Sequence, residues 1–339
     1  MTAPWEEAED QNIIQTLKKT KRKSLIRSIL ISVTVSVLIL IAIFIGAAQL
    51  VNRMSSKALF SEEQYMRISS PNEYGSGYKD SRGFLSGVLE MQTYKIIGDV
   101  PIPWKNRWLN YNPWWFPFTT GAYGGANNLT VEDSRMKQEG YEYYRGYNSF
   151  NGQREMAFYV PGVDYNGRML NDLSELNQMN GDKRVELAVS FDKAYSFEEA
   201  KNLLPAGAKP VWYWVDTYDE REGFNFKPFQ DGNDPAKMNY PLPMSANFGV
   251  YGFGVQPDWD QANPEDFIGA VTIGLDKKDN YHSEYQRIFN YLRKDKAAPE
   301  AGDVRILGVV VTGTADSLQS LQGKSFVRAA VLGAVVDKY

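Results

Sequence analysis

The sequence predicts an α+β fold carried on a single transmembrane helix, and three observations point there. No side chain from Ser28 to Val51 is charged. Downstream, the order helix–strand–helix–strand can be read twice along the chain. The 339 residues include no cysteine, so the downstream part must hold together by burying a core, which a segment of this size can do without disulfides.

The uncharged stretch reads SILISVTVSVLILIAIFIGAAQLV. About 20 such residues cross a hydrocarbon core of about 30 Å. Its β-branched side chains would count against a helix in water, but in lipid the backbone must bond to itself and the helix forms regardless. A cleaved secretory signal is the rival reading, because Gly46, Ala47 and Ala48 resemble a small-residue cleavage site. The apolar run and the segment before it are both too long for one. Lys18, Lys19, Lys21, Arg22, Lys23 and Arg27 crowd one flank, whereas Arg53 and Lys57 are the nearest positive residues on the other. The positive-inside rule therefore places residues 1–27 in the cytoplasm and residues 52–339 outside, as a single-pass protein of the cell membrane.

In the tail, Glu6, Glu7, Glu9 and Asp10 precede the basic cluster, an order that suits a helix dipole. Ile13, Ile14 and Leu17 share one helical face. Two readings stand side by side. One is a solvated linker whose lysines meet anionic lipid of the bilayer. The other is a docking helix that contacts a cytoplasmic partner through Trp5, Ile13, Ile14 and Leu17.

Residues 52–83 are expected to form a stalk, with turn chemistry at Ser69-Ser70-Pro71-Asn72, and residues 84–339 the outer domain. Leu85–Ile97 alternates like a strand. The stretch Pro101–Gly125 holds Trp104, Trp108, Trp114 and Trp115 among Pro101, Pro103, Pro113 and Pro117. The prolines argue against any regular element there. This aromatic loop either plugs the domain's own core, lies on the outer leaflet, or binds an apolar or sugar-bearing ligand of the cell envelope.

Arg154–Val160 reads as a strand and Asn171–Met179 as a short helix. Val185–Phe191 is a strand, and Ser196-Phe197-Glu198-Glu199 is a capping box that opens a helix to Leu204. Val211–Val215 is the next strand. After a less regular insertion at 219–247, Tyr281–Lys294 reads as a helix with Tyr285, Ile288, Phe289 and Leu292 on one face. Ile306–Val311 is a strand, Thr314 caps a helix carrying Leu318 and Leu321, and Phe326–Val336 is the last strand. The two halves, 84–218 and 248–339, thus suggest a duplication. Strands joined through helices imply parallel or mixed pairing, hence a mixed-sheet domain.

Composition narrows the chemistry. A net charge of -4 gives no reason to expect direct nucleic-acid binding. Without cysteine there is no thiol catalysis and no thiolate metal site. The one histidine, His282, would have to serve any Ser-His-Asp set or two-histidine metal site alone. The run Phe248–Gly254 is glycine-rich, yet no lysine and hydroxyl follow at phosphate-loop spacing. It reads as a strand in which backbone or side chains approach closely. Asp258, Asp260, Glu265 and Asp266 cluster as a solvated acidic loop, with weak calcium binding as the alternative. No catalytic residue, cofactor or metal is expected, and the chain reads as a non-enzyme.

Several strings carry a family resemblance. They are FLSG at Phe84–Gly87, TYKIIGD at Thr93–Asp99, REMAFY at Arg154–Tyr159, NDL at Asn171–Leu173, SFDKAYSFEEAK at Ser190–Lys201, WYWVDTY at Trp212–Tyr218 and GVVVTG at Gly308–Gly313. With the basic tail and membrane helix, the chain resembles the membrane-bound sigma factor regulators of Gram-positive bacteria, over roughly residues 15–110 and 150–339. The resemblance implies an anti-sigma role: holding an extracytoplasmic-function sigma factor at the membrane until envelope stress releases it. Family members often carry a longer cytoplasmic segment. The 27-residue tail is therefore either a minimal clamp on the sigma factor or acts through a small membrane co-regulator. The alternatives to regulation are an envelope-binding scaffold with a purely anchoring tail and, third, an envelope hydrolase.

Overall fold

Between Trp5 and Ser69 the chain has no proline and one glycine, Gly46, so nothing interrupts a helix there. In the computed structural model, α1 runs unbroken from Pro4 to Ser69, 66 residues and about 100 Å long. The structure describes residues 4–118, 129–138, 140–141, 145–234, 237–246, 248–255 and 261–338, with the side chains of α1 from Ile13 onward. Pro71 and the left-handed Asn72 (φ 53°) end the helix.

From Ile29 to Ile45 the large apolar side chains of α1 are exposed on every side. By length and composition this stretch is long and apolar enough to cross a membrane. At Val51 the pattern changes. Val51, Ser55, Glu62, Met66 and Ile68 are buried against the rest of the chain. Residues 52–69, expected as a stalk, are thus the last turns of α1 packed into the domain.

The chain then turns back into an antiparallel meander of β1 (Tyr74–Arg82), β2 (Gly87–Ile97) and β3 (Val100–Tyr111). β3 corrects the expectation that Pro101–Gly125 holds no regular element. Pro101 and Pro103 sit in an edge strand, whose outer side carries no ladder and tolerates a missing N–H. Val51 and Met54 of α1 pack on Leu89 and Tyr111 at one end of the meander, and Ile97 and Trp104 pack on Ala334 at the other.

The second sheet is built from β4 (Arg184–Tyr195), α2 (Phe197–Leu203), β5 (Lys209–Val215), β6 (Gly252–Gly254), α3 (Pro264–Lys277), α4 (His282–Arg293), β7 (Ile306–Thr314), α5 (Ala315–Leu318) and β8 (Val327–Val336). The strand order is β6-β5-β7-β4-β8. The α+β class is as expected, but every ladder in this sheet is antiparallel. Each helical crossover steps over one strand, so β4 and β5 run the same way with β7 between them, and β7 and β8 with β4 between them. This is an interlocked split βαβ arrangement. The two expected halves therefore interleave in one sheet.

Both faces of the sheet are covered, which is why β4 is buried without a break from Val185 to Phe191 and is apolar there except at Glu186 and Ser190. On one face Leu187, Val189 and Phe191 meet Phe267 of α3, Tyr285 and Ile288 of α4, and Ile68 of α1. On the other, Ala188, Trp212 and Trp214 meet Phe158, Tyr159 and Tyr165. The expected strand Arg154–Val160 shrinks to Ala157–Phe158, paired with Met244–Ser245. Around it, side chains replace the ladder: Tyr159 N–H donates to Ser190 Oγ (2.9 Å) and Val160 N–H to Tyr165 Oη (2.9 Å).

Local signals fare better. The capping box at Ser196 and the Thr314 cap are both formed, and the segment after Asn171 is a 3-10 helix over Asp172–Gln178. The close approach read at the glycine run is at Gly252, where a Cβ would stand 1.9 Å from Tyr213 O and 2.6 Å from the Trp212 ring. Gly252→Ala is expected to lower stability by about 2 kcal/mol through overpacking, measured as a shift in the denaturation midpoint; an unchanged midpoint would contradict this packing.

Candidate functional site: the seam between the long helix and the folded domain

The C-terminal end of α1 is held by polar side chains from three other segments. Glu62 accepts from Arg107 Nη1 of β3 (2.8 Å) and from Tyr281 Oη, just before α4 (2.5 Å). Arg107 also grips Glu73 with two nitrogens, Nε to Oε1 at 3.0 Å and Nη2 to Oε2 at 3.2 Å, and donates to Ser70 Oγ at 2.8 Å. Lys105 adds a second cation at 3.2 Å from Glu73. Both carboxylates are buried, and the forked guanidinium can satisfy the two at once. One turn on, the Tyr65 ring stacks on Tyr281 with centroids 3.8 Å apart, and its hydroxyl lies 3.2 Å from that of Tyr251. Ser61 Oγ donates to Asp279 Oδ2 at 2.7 Å.

Burial alone would push the Glu73 carboxyl up, but Arg107 and Lys105 outweigh it and hold Glu73 below the usual carboxylate range. Glu155 goes the other way: burial raises it, and Lys95 and Lys105 offset that only in part. Burial lowers Lys105 despite its partner Glu73. The seam therefore joins charged groups that pull in opposite directions across a few ångströms.

Beyond the helix end, Asn72 Nδ2 donates to Glu186 Oε1 on β4 (2.7 Å) and to Ile96 O on β2 (3.1 Å). Glu186 is also paired with Lys95 of β2 at 2.9 Å, both almost fully buried. The Lys95 ammonium lies 4.0 Å over the Trp104 ring. One residue thus links the helix end to both sheets. A third buried pair, Arg145 and Asp172, is bidentate at 2.8 Å and 2.8 Å, and Asp172 also accepts from Leu332 N–H of β8.

Two cavities flank the helix end. One of about 620 Å3 is lined by Tyr65, Ser69, Lys105, Arg107, Glu155 and Tyr251. The other, about 810 Å3, is lined by Met66, Asn72, Tyr74, Met91, Trp212 and Phe253. Both are in the size range of small-molecule sites.

The residues singled out from sequence fall elsewhere. Ile13, Ile14 and Leu17 are exposed on α1, as are Lys18, Lys19, Lys21, Arg22, Lys23 and Arg27. Trp5 lies in α1. Trp104 is buried, whereas Trp108, Trp114 and Trp115 are exposed. His282 is the first residue of α4 and half-buried. Glu265 and Asp266 occupy the first turn of α3; Asp258 and Asp260 lie outside the described residues. Sequence reasoning missed Lys95, Arg107, Arg145 and Glu186. Their signal was a charge inside an otherwise strand-like run, as in Val185-Glu186-Leu187-Ala188-Val189, since such a charge is buried only if paired.

Comparison with known families gives two matches. The family model for the sigma factor regulator N-terminal region matches residues 15–102, and that for the sigma factor regulator C-terminal region matches residues 176–334. Together they take in α1 from residue 15 onward, the first two strands of the meander, and nearly all of the five-stranded sheet. No curated protein and no solved structure matches the chain.

Proposed function

Because the chain belongs to the sigma factor regulator family and is an anti-sigma-type regulator, we propose that α1 is the element that carries its signal across the membrane. Residues 1–27 are cytoplasmic and hold an extracytoplasmic-function sigma factor, directly or with a small membrane co-regulator. Residues 28–51 span the bilayer, and the outer domain reads the state of the envelope. The charge asymmetry across the apolar stretch supports this orientation. The work of the outer domain is regulatory rather than catalytic.

One observation carries the reading. α1 is continuous from the tail to Ser69, and its last turns are clamped by Arg107, Tyr281 and Asp279. A helix has few ways to absorb a displacement along its axis, so repacking at the seam moves the tail. The cavity lined by Tyr65, Ser69 and Lys105 is where an envelope ligand would act, because helix residues form part of its wall. A ligand that binds one packing better than another shifts the balance between them.

The tail is tested by crosslinking and capture from membranes of cells carrying the intact chain or the double variant Ile13→Asp, Leu17→Asp. The expected result is loss of the captured sigma factor and raised transcription from its promoters. Equal recovery with unchanged transcription would remove the tail from the mechanism.

A further inference from the structure

The open end of the meander carries large aromatic side chains that the seam does not use. Its position is set by polar contacts with the first turns of α1 beyond the apolar stretch. Arg82 donates to Asn52 Oδ1, Ser55 Oγ donates to Asp80 Oδ2 (2.8 Å), and Tyr111 Oη donates to Asp80 Oδ1 (2.6 Å). Tyr111 also packs with Val51 and Leu89. The lengths agree. From Asn52 to Ser69, α1 rises about 26 Å, and the nine residues of β1 run back about 30 Å. The chain returns to the level at which it left the apolar stretch.

At that level four rings point outward: Phe84 is 56% exposed, Trp114 95%, Trp115 54% and Phe118 71%. They are ordered by a turn. Phe116 N–H donates to Pro113 O (2.9 Å), and Asn112 Nδ2 donates to Pro113 O and Phe116 O (3.1 and 3.0 Å). The Phe116 ring then meets Phe84, Trp115 and Phe118 at centroid distances of 6.2, 6.1 and 5.5 Å. Exposed apolar clusters of this kind mark contact surfaces. Tryptophan favours the headgroup layer, where one side of the ring is wet and the other apolar. That layer is about 5–8 Å thick on each side of the hydrocarbon core, and Tyr111, three residues before Trp114, packs on Val51, where the apolar stretch ends.

We propose that this tip is seated in the interfacial layer of the same bilayer that α1 crosses, so that the outer domain meets phospholipid at a second point and its tilt about α1 is fixed. The occupant is lipid rather than a second protein because α1, on which the tip is mounted, carries it to the bilayer surface. This rests on α1 spanning the membrane, and the experiment separates the two.

The chain has no cysteine, so single labels are unambiguous. The variants Leu38→Cys, Trp114→Cys, Phe118→Cys and Lys201→Cys, each in the full chain, are labelled with a fluorophore and reconstituted in phospholipid nanodiscs. Quenching by a spin-labelled phospholipid is compared with quenching by aqueous iodide. Labels at 114 and 118 are expected to be quenched by the lipid at least about twofold more than the label at 201, and to be shielded from iodide. If 114 and 118 behave like 201 while 38 is quenched by lipid, the tip is not at the bilayer and the proposal falls. If 38 also escapes the lipid quencher, the anchor itself fails, and the proposal with it.

Discussion

Replacing Arg107 by methionine is expected to lower the stability of the folded domain by about 3–5 kcal/mol, the usual cost of breaking a buried ion pair from one side. Two buried carboxylates, Glu62 and Glu73, lose their shared cation, and Ser70 loses its donor. Methionine keeps most of the side chain's volume, so the loss reports charge and hydrogen bonding rather than a cavity. Arg107→Lys is expected to fall between, because an ammonium cannot reproduce the fork that reaches both carboxylates. Chemical denaturation of the full chain in nanodiscs measures this. A loss below about 1 kcal/mol, the range of an exposed pair, would mean that the seam is not held by this network. With α1 loosened from the domain, sigma-dependent transcription is expected to lose its response to envelope stress.

The same measurement repeated against pH has a defined sign. Glu73 has a folded-state value below its ordinary one, so it binds protons less readily folded than unfolded. Its contribution is present above the ordinary carboxylate range and is lost as pH falls through the depressed folded value. Glu155 is raised: its contribution is present at low pH and is lost as pH rises through the folded value. In Arg107→Met the main cation holding Glu73 down is gone and only Lys105 and Lys95 still oppose burial, so the depression of Glu73 shrinks. The acid limb of the stability curve is expected to flatten accordingly.

How much of this could be read in the sequence depended on the range of the physics involved. The apolar stretch from Ser28 to Val51 is its own signal, because length and absence of charge suffice. The caps at Ser196 and Thr314 are equally local: each needs only a hydroxyl and an N–H three residues on. The wrong expectations came from outside that range. Pro101 and Pro103 weigh against a strand until β3 is known to be an edge, and that depends on strands elsewhere in the chain. The crossovers β4–α2–β5 and β7–α5–β8 look like parallel pairs until each is seen to leave a gap that the other fills. The seam was the least visible part. Glu62 and Glu73, Arg107, and Tyr281 come from three separate stretches of the chain, and only the fold brings them together.

Lys95 and Glu186 offer the strongest internal test of how helix and sheets are joined. Lys95→Met and Glu186→Gln, made singly, are each expected to destabilise by about 3–5 kcal/mol, since each leaves the other partner buried without its counter-charge. Asn72 Nδ2 and Ala334 N–H donate to different oxygens of Glu186, so Glu186→Gln keeps an acceptor for only one of them, and its cost combines the loss of charge with the loss of one hydrogen bond. The double variant is expected to cost clearly less than the sum, because neither charge then remains alone, with a coupling of about 2–3 kcal/mol. Additive losses would place the two groups in water rather than in the core. Asn72 then distinguishes stability from coupling. It stands at φ 53° between α1 and both sheets, a conformation that glycine adopts freely. In Asn72→Gly the backbone is unstrained while both side-chain bonds are gone, so the fold is expected to survive with a loss of about 1–3 kcal/mol. What should change is the tie between the helix end and β4, read as faster amide exchange over residues 62–69 than in the parent chain. Unchanged exchange there would mean that the Glu62–Arg107–Glu73 clamp alone fixes α1, and that the buried pair serves only the sheets.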